Sequence, residues 1–326
     1  MSPSRTDGGR HVGERWGETR VTGCPVTTGG VVTRLARLRL GWRRLTASLR
    51  VHPDFVIVGA QKAGTTSLYA YLTAQPDVLP AASKEVHFFD TCDWERGPGA
   101  YRAYFPMRAR MRVRSWSRRR PSLTGEASPY YLYHPLAPER LAATVPGTKV
   151  IILLRDPVER TLSHYWHEVR GGREHLPLRE ALQVEPDRLR GREAALRDGA
   201  AQCRHRDHQV FSYLDRSRYS RQVARYLELF PPEQVLVLKS EMLFDDDGAT
   251  KQRIGEFLGL TELVGGFAAQ NLGHRRARDP EEAAVRDLLA CELAEDGEAL
   301  RALLGATFTW RPQDGSVPQT RVTVSL

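Results

Sequence analysis

The chain has 326 residues, of which 41% are hydrophobic, and a formal net charge of +9 at pH 7. This length allows a sizeable core in one large α/β domain or in two small ones, and the ordinary apolar content excludes a wholly disordered chain. The sequence contains no run of about 18 uncharged apolar residues, which argues against a membrane-spanning helix.

The basic excess consists of 43 arginines and only 5 lysines. It can be interpreted as a surface for nucleic acid or an acidic polymer, or as a codon bias toward arginine with the charge spread over solvated faces. We favour the second interpretation and do not expect nucleic acid as a partner. Because lysine is scarce, Lys62 and Lys84 stand out as candidates for function.

The amino-terminal 50 residues form a basic extension. Residues 1 to about 30 lack periodicity and show no apolar stretch of a secretory signal, so we expect disorder and a cytoplasmic protein. In residues 31–50, apolar residues recur at helical spacing among arginines, which predicts an amphipathic helix. Two interpretations of this helix stay open. We favour packing of its apolar side on the domain that follows, and the alternative is a peripheral contact with an anionic membrane.

An apolar run at residues 55–58 predicts a buried strand, followed by a glycine-containing turn at residues 59–64 and a helix that begins near Thr65. Inward-pointing backbone N–H groups and a helix N-terminus attract an anion, and Lys62 adds a full positive charge. The sequence therefore predicts a phosphate cradle at this turn.

The glycines of this turn have the spacing of the G-x-x-x-x-G-K-[ST] loop of nucleotide triphosphatases. However, Lys62 lies two places before the second glycine, Gly64, and Thr65 follows that glycine directly. Without a lysine before the threonine, ATP hydrolysis becomes a minority interpretation.

Residues 84–90, KEVHFFD, set two ionisable side chains among aromatic residues. If this segment is extended, Glu85 and His87 project to the same side. A base close to a bound anionic group is typical of group-transfer chemistry. Four cysteines stand far apart without a CxxC pair, and we expect them to be reduced.

Further along, the arginine-rich residues 108–120 predict a mobile solvated loop, which in a transferase could also cover the site or meet an anionic acceptor. A short strand is predicted at residues 122–128. It carries Glu126 and leads into Tyr130, which belongs to the polar sheet edge where ligands bind in α/β proteins.

The continuous apolar run at residues 149–154 predicts a central parallel strand. Arg155 follows it, and a helix is predicted at residues 158–171, with Ser163 and His167 on one face. Arg155 and Ser163 could hold a second phosphate, or Arg155 could pair with a neighbouring carboxylate or a helix terminus, and both interpretations stay open.

The remaining chain alternates helical segments with one more strand. The predicted elements are an irregular helical stretch at 178–206, helices at 213–230, 250–258 and 281–304, a strand at 234–239, and a basic loop at 271–279. This alternation favours an α/β fold with a mostly parallel sheet.

Together, these segments resemble the sulfotransferases that use 3'-phosphoadenosine 5'-phosphosulfate, and most of all the heparan-sulfate-type domains and their bacterial relatives. The resemblance is carried, in family order, by residues 58–67, 84–90 and 155–165. It implies a P-loop-like three-layer fold, a central mostly parallel sheet flanked by helices, with the sulfotransferase domain at residues 51–310. Residues 1–50 and 311–326 would then be an extension and a tail.

The resemblance implies roles for individual residues. Glu85 would be the general base, and Lys62 and His167 would also be catalytic. The donor nucleotide would be held by Lys62, Ala63, Gly64, Thr65, Thr66, Ser67, Arg155, Ser163, Arg275 and Arg276. The acceptor would be contacted by His87, Glu126 and Tyr130.

The implied reaction moves a sulfonate group from this donor to a hydroxyl or amine of a carbohydrate, a lipid such as a glycolipid, or a small molecule, without a metal. Two alternatives stay open at this point. One is a P-loop-type nucleotide-dependent kinase, and the other is a non-enzymatic binding protein that uses its arginines.

Overall fold

The computed structural model describes residues 34–199, 205–244, 248–261, 263–267, 280–306 and 308–310. The predictions for residues 1–30, for Arg275 and Arg276 in the basic loop, and for the tail at 311–326 lie outside the described residues. The chain divides into two compact units, residues 1–39 and 40–326. The sheet and the candidate site belong to the second unit.

The strands of the described part are β1 (Phe55–Gly59), β2 (Val78–Pro80), β3 (Leu123–Ala127), β4 (Lys149–Leu154) and β5 (Val235–Lys239). They form one sheet in the order β2, β3, β1, β4, β5, and every neighbouring pair is parallel. Every residue of β1 is buried, as expected for a strand covered on both faces. The predicted α/β fold with a parallel sheet is confirmed.

Helices precede, connect and follow the strands. They are α1 (Arg34–Leu45), α2 (Thr65–Ala74), α3 (Gly97–Arg102), α4 (Arg108–Arg118), α5 (Ala137–Thr144), α6 (Pro157–Arg170), α7 (Leu178–Leu189), α8 (Arg192–Arg197), α9 (Arg206–Val210), α10 (Tyr219–Leu229), α11 (Ser240–Phe244), α12 (Gly248–Leu258), α13 (Pro280–Glu292) and α14 (Ala294–Leu304). Short 3-10 turns occur at Ala47–Leu49, Cys92–Arg96, Asp215–Ser217 and Pro232–Gln234.

Two hydrophobic clusters hold these elements together. The larger one joins the strands to α2, α5, α10, α12 and α14, with Tyr226 of α10 fully buried in it. The smaller one joins α6, α7, α9 and α13, through side chains such as Leu162 and Val285. The second cluster fixes α6, which continues from the carboxyl end of β4 and carries several predicted site residues.

Three predicted elements differ from the structure. The predicted solvated loop at residues 108–120 is wrong, because residues 108–118 form α4, in which helix-favouring arginines surround the buried Met111. The predicted helix at 213–230 begins later, at Tyr219. The predicted helix at 281–304 is divided into α13 and α14, with Leu293 between them.

The parallel arrangement brings the carboxyl ends of the strands to one edge of the sheet. The cradle follows β1, Ser128 follows β3, and Arg155 follows β4. In open α/β sheets, ligands bind at this edge. Among the described residues, no helix is long and apolar enough to cross a membrane.

Candidate active site

The turn after β1 requires glycine at both of its ends. A Cβ atom on Gly59 would lie 2.4 Å from the Cβ atom of Leu132, so a side chain does not fit there. Gly64, the N-cap of α2, has a φ of 91°, a conformation that L-residues rarely adopt. Lys62 shares the left-handed region, with a φ of 72°. The turn therefore delivers Lys62 to the N-terminus of α2, whose first N–H groups lack partners within the helix and attract an anion.

Five further residues predicted to hold the donor, at positions 63–67, lie in this turn or in the first turn of α2. Ala63, Thr65 and Ser67 are buried, whereas Gly64 and Thr66 are partly exposed. The buried side chains support the turn, and the backbone N–H groups at its surface are the groups that could meet an anion. Their role in binding the donor stays a prediction.

Lys62 is surrounded by further positive charges. Burial lowers the pKa of Lys62, and the charges of Arg170, Arg155 and Arg160 lower it further, against the opposing charge of Glu168. Arg155 also donates a hydrogen bond from Nη1 to the carbonyl oxygen of Lys62, at 3.3 Å. Because these cations repel one another, an anion bound among them is stabilised.

Arg155, which follows β4, lies between the cradle and α6. Its guanidinium lies 3.7 Å from the carboxylate of Glu159, which also pairs with Arg286. Asp156 instead caps α6 by accepting a hydrogen bond from the N–H of Glu159 at 3.0 Å. Ser163, predicted to share a phosphate with Arg155, lies in the middle of α6 and is partly exposed.

The segment at residues 84–90 is not extended, so the conformation considered from the sequence is wrong. Glu85 and His87 have φ values of 58° and 52°, in the left-handed region. Their side chains nevertheless meet, with 3.4 Å between His87 Nε2 and Glu85 Oε2. Apart from Arg119, the described non-glycine residues with positive φ are Lys62, Glu85 and His87. Such conformations concentrate at functional sites.

His87 bridges two carboxylates. Its Nδ1 atom lies 2.6 Å from Oδ2 of Asp90, which is fully buried, and its Nε2 atom faces Glu85. An imidazole can donate to both carboxylates only when both ring nitrogens carry protons. Asp90 was not predicted as a site residue, although its position three residues after His87 is compatible with such a contact.

Glu85 is held as a carboxylate. Burial alone would raise its pKa, but the hydrogen bond with His87 and the charge of Lys84, 2.5 Å away, outweigh burial and lower the pKa to about 2. The Glu85 side chain remains 42% exposed. It is therefore ionised at neutral pH and accessible to a substrate.

Glu126, predicted to contact the acceptor, lies beneath this segment. Its Oε2 atom accepts hydrogen bonds from Ser128 Oγ at 2.7 Å and from the N–H of Val86 at 3.4 Å. Its Oε1 atom accepts from the hydroxyls of Tyr101 at 2.7 Å and Tyr131 at 3.3 Å. Burial raises the pKa of Glu126, and the hydrogen bonds from Ser128 and Tyr101 oppose this rise.

These contacts give Glu126 a positioning role. It is fully buried, and its four hydrogen bonds occupy both carboxylate oxygens. The same Tyr131 hydroxyl also accepts from the N–H of Phe88 at 2.7 Å, and the N–H of Glu85 donates to Ala127 O at 3.0 Å. The end of β3 thereby holds the backbone on which Glu85 is carried.

His167 interacts electrostatically with Lys62 of the cradle and with the carboxylate of Glu85. Burial lowers its pKa to about 4, with the charges of Lys62, Arg173 and Arg170 acting in the same direction and Glu85 opposing them. Its side chain is 43% exposed. His167 is therefore neutral at pH 7 and within electrostatic reach of both Lys62 and Glu85.

Tyr130 belongs to a buried cluster behind the cradle. Its hydroxyl lies 2.7 Å from Nδ1 of His208, and the guanidinium of Arg216 lies over its ring, 5.0 Å from the centroid. Arg216 is buried and donates a hydrogen bond to Oε1 of Gln61 in the cradle. Tyr130 is 3% exposed, and its contacts with His208 and Arg216 support the residues behind the cradle. Its role in acceptor binding stays a prediction.

Cys92 takes part in a disulfide bond, so the expectation of reduced cysteines is wrong at this position. It begins the 3-10 turn Cys92–Arg96, two residues after Asp90. Cys291 is free and exposed. Among the described residues, no group of three or more histidine, cysteine, aspartate or glutamate side chains is arranged to hold a metal.

Comparison with known proteins supports the fold and identifies the family. The chain is 32% identical to a sulfotransferase from Alicyclobacillus acidocaldarius of known crystal structure, with a TM-score of 0.57, and the match covers 78% of this chain and 96% of that one. It is 30% identical to heparan sulfate glucosamine 3-O-sulfotransferase 3B1 of Mus musculus, over 65% of this chain and 47% of that protein.

A human relative, bifunctional heparan sulfate N-deacetylase/N-sulfotransferase 3, is 29% identical over 64% of this chain and 22% of its own length. The chain thus matches less than half the length of either curated relative. The model of the family described as "Sulfotransferase domain" matches residues 52–267. Since this match spans well over half of the chain and includes the cradle, residues 84–90 and α6, the chain belongs to the sulfotransferase domain family.

Proposed function

We propose that this protein transfers a sulfonate group from 3'-phosphoadenosine 5'-phosphosulfate to a hydroxyl or amine of a carbohydrate, lipid or small-molecule acceptor, with Glu85 as the general base. One observation carries the proposal. Lys62, whose carbonyl oxygen accepts a hydrogen bond from Arg155, and Glu85, whose N–H donates to the carbonyl oxygen of Ala127, follow or contact the carboxyl ends of the neighbouring strands β1, β4 and β3, so a cationic turn and a carboxylate lie at the same edge of the sheet.

The residues present fit a nucleotide with anionic groups at both its 5' and 3' positions. The cradle N–H groups and Lys62 would hold the 5' group at the N-terminus of α2. Arg155, which contacts the cradle carbonyl, would hold the 3'-phosphate together with Ser163. When bound, the donor supplies an electrophilic sulfur and a phosphate leaving group.

Glu85 accepts the proton that the acceptor hydroxyl or amine loses as its oxygen or nitrogen bonds to sulfur. The bond between sulfur and the bridging phosphate oxygen breaks at the same time, and Lys62 with the cradle N–H groups stabilises the electron pair left on that oxygen. Asp90 orients His87, which in turn holds Glu85. Catalysis in this scheme consists of positioning and charge stabilisation.

Two names among the relatives support a carbohydrate acceptor, because both proteins are named for heparan sulfate. Arg275 and Arg276 remain proposed as further donor contacts. A cytoplasmic location is likewise a proposal.

The test uses radiolabelled donor, a panel of glycans, glycolipids and small molecules, and calorimetry with 3'-phosphoadenosine 5'-phosphate. Glu85→Gln should lower transfer by about 10² to 10⁴-fold, the usual contribution of a general base, while nucleotide affinity stays nearly unchanged. Arg155→Ala should instead weaken nucleotide binding.

Glu228→Gln serves as the matched control, since Glu228 is an exposed carboxylate on α10. It should behave like the unsubstituted protein in both assays. Normal turnover in Glu85→Gln would remove Glu85 from the mechanism, and magnesium-dependent turnover of ATP would favour a kinase instead.

A further inference from the structure

Helix α4 turns apolar side chains toward solvent. Val113 and Trp116 are 66% and 84% exposed, and their spacing of three residues sets them on one face of the helix. Ala109, four residues before Val113, is also exposed on that face. The buried Met111 lies on the opposite face. In most surface helices the apolar face packs on the core, whereas in α4 Val113 and Trp116 face solvent.

The inner face of α4 is held against the body of the protein by hydrogen bonds, which keep Val113 and Trp116 facing solvent. Arg114 donates from Nε to the carbonyl oxygen of Pro76 at 2.9 Å. Arg118 donates from Nε to Oδ1 of Asp77 at 3.0 Å. These arginines carry polar contacts to the body of the protein, while the tryptophan stays outside.

A second exposed apolar stripe lies beside α4. It consists of Trp42, Leu45 and Leu49, at the end of α1 and in the turn that follows, which are 66%, 79% and 58% exposed. Arg43 and Arg50 fix this segment to the residues just before α4. Arg43 Nε donates to Ala103 O at 2.6 Å, and Arg50 Nη1 donates to Phe105 O at 2.9 Å.

Both stripes are embedded in positive charge. Residues 108–120 contain seven arginines and no aspartate or glutamate. Arg108, Arg110, Arg112 and Arg119 are among the exposed ones, and they lie outside the contacts with Pro76 and Asp77 described above. Arg43 and Arg110 are close enough to affect each other electrostatically, which links the two stripes.

We propose that Trp42, Leu45, Leu49, Val113 and Trp116, from here the interfacial face, bind the surface of an anionic lipid bilayer. Tryptophan favours the boundary between lipid headgroups and acyl chains, valine and leucine favour the apolar side of it, and arginine binds the anionic headgroups.

Other occupants fit less well. A soluble anionic polymer would use the arginines but leave the aliphatic side chains in water. A second copy of the chain, joined about a two-fold axis, would set the same arginines against each other. A bilayer satisfies the charge and the apolar surface together.

Helix α4 lies at the edge of the sheet opposite the candidate active site. Pro76 and Asp77, which anchor α4, directly precede β2, and the N–H of Ser122, directly before β3, donates to Ser115 Oγ of α4 at 2.9 Å. The cradle and Glu85 lie at the carboxyl ends of the strands, one strand length of roughly 17 Å away. Binding of α4 to a bilayer would therefore turn the site toward the aqueous phase, and α4 does not cover the site.

Co-sedimentation of the full chain with phospholipid vesicles tests this proposal. The protein should bind vesicles of phosphatidylcholine with phosphatidylserine and bind pure phosphatidylcholine much more weakly, because the arginines require anionic headgroups. The double variant Val113→Ser with Trp116→Ala should bind the anionic vesicles about tenfold or more weakly. Arg110→Glu with Arg112→Glu should remove the dependence on phosphatidylserine.

Two matched controls carry substitutions of the same chemical kind at exposed positions outside the interfacial face. Leu229→Ser with Leu288→Ser replaces exposed apolar residues, and Arg179→Glu with Arg190→Glu makes the same change of charge. Both controls should bind like the unsubstituted chain, and all variants retain residues 1–33, so that segment cannot cause a difference. Thermal unfolding checks that each variant is folded.

Equal vesicle binding by the Val113/Trp116 variant and the unsubstituted chain would overturn the proposal. So would an absence of binding of the unsubstituted chain to the anionic vesicles. A dimer that is seen by light scattering and abolished in this variant would then assign the face to a second copy.

Discussion

Glu85 is a stronger acid in this structure than a carboxylate in water, and Lys84 is one of the causes. The ammonium group lies 2.5 Å from Oε1 of Glu85, while His87 faces the other carboxylate oxygen. A base with a pKa of about 2 is ionised at every pH at which the protein would be used, but its affinity for a proton is low. The neighbours thus keep the carboxylate ionised and limit its affinity for a proton.

We predict that Lys84→Met raises the pKa of Glu85, because it removes the opposite charge that favours the carboxylate. In the proposed mechanism transfer requires ionised Glu85, so the acid limb of the pH–kcat profile should move upward by about one pH unit, discounted for the exposure of the pair. Pre-steady-state transfer measured across the acidic range gives the shift. Lys84→Arg keeps the charge and should leave the limb in place, and a limb equally displaced in both variants would contradict this role for the charge.

The sequence could predict which residues would be brought to one edge of the sheet, because the cradle, Ser128 and Arg155 each directly follow a parallel strand. The left-handed conformations of Glu85 and His87 could not be predicted, since an alternation argument assumes an extended backbone. Arg216 also escaped prediction, because its partner Gln61 lies 155 residues away and an isolated arginine carries no signal of such a contact.

At the scale of elements, the connection between α6 and α7 depends on one buried carboxylate. Glu174 accepts hydrogen bonds from the N–H groups of His175 and Leu176 and from the hydroxyl of Tyr213, and it pairs with Arg188. Burial alone would raise the pKa of Glu174, but these contacts, led by Arg188, lower it from 4.5 to about 2. This carboxylate therefore stabilises the fold when it is ionised.

We predict that Glu174→Gln destabilises the protein in a pH-dependent way. One pKa unit corresponds to about 1.4 kcal/mol, so the ionised carboxylate contributes on the order of 3 kcal/mol above the unfolded-state pKa. This contribution is lost as the pH falls from about 4.5 toward 2. Urea unfolding should show a large deficit at pH 7 that shrinks below about pH 4.5. Glu180→Gln, an exposed change in α7, should show neither effect.

The strands and the helices behind them were the most predictable elements. Apolar runs such as residues 149–154 are long enough to identify a doubly covered strand, and β4 has the bounds that the run predicts. Helix α4 was missed because seven arginines in residues 108–120 resemble a solvated loop, and its helical packing rests on the single buried side chain of Met111. Local composition cannot reveal which edge of the sheet such a helix will join.

At the scale of the whole molecule, the disulfide at Cys92 ties the chain just after the segment at residues 84–90. We predict that peptide mapping without reduction finds Cys92 cross-linked and the exposed Cys291 free to react with an alkylating reagent. Reduction should lower the free energy of unfolding by roughly 2–5 kcal/mol. Complete alkylation of Cys92 without a reductant would contradict the prediction. The cytoplasmic location stays a prediction, and a disulfide found in the purified protein would favour an oxidising compartment.

The positive charges around Lys62 also bear on how fast the protein could complete a reaction cycle. In the proposed reaction, loss of the sulfonate group would leave an additional negative charge on the 5'-phosphate held by Lys62, within the field of Arg170, so the spent nucleotide should be held more tightly than the donor. Departure of this nucleotide would then limit the turnover rate. We expect strong product inhibition that weakens with added salt, as inhibition constants at low and high ionic strength would reveal, and a faster steady state in Arg170→Gln.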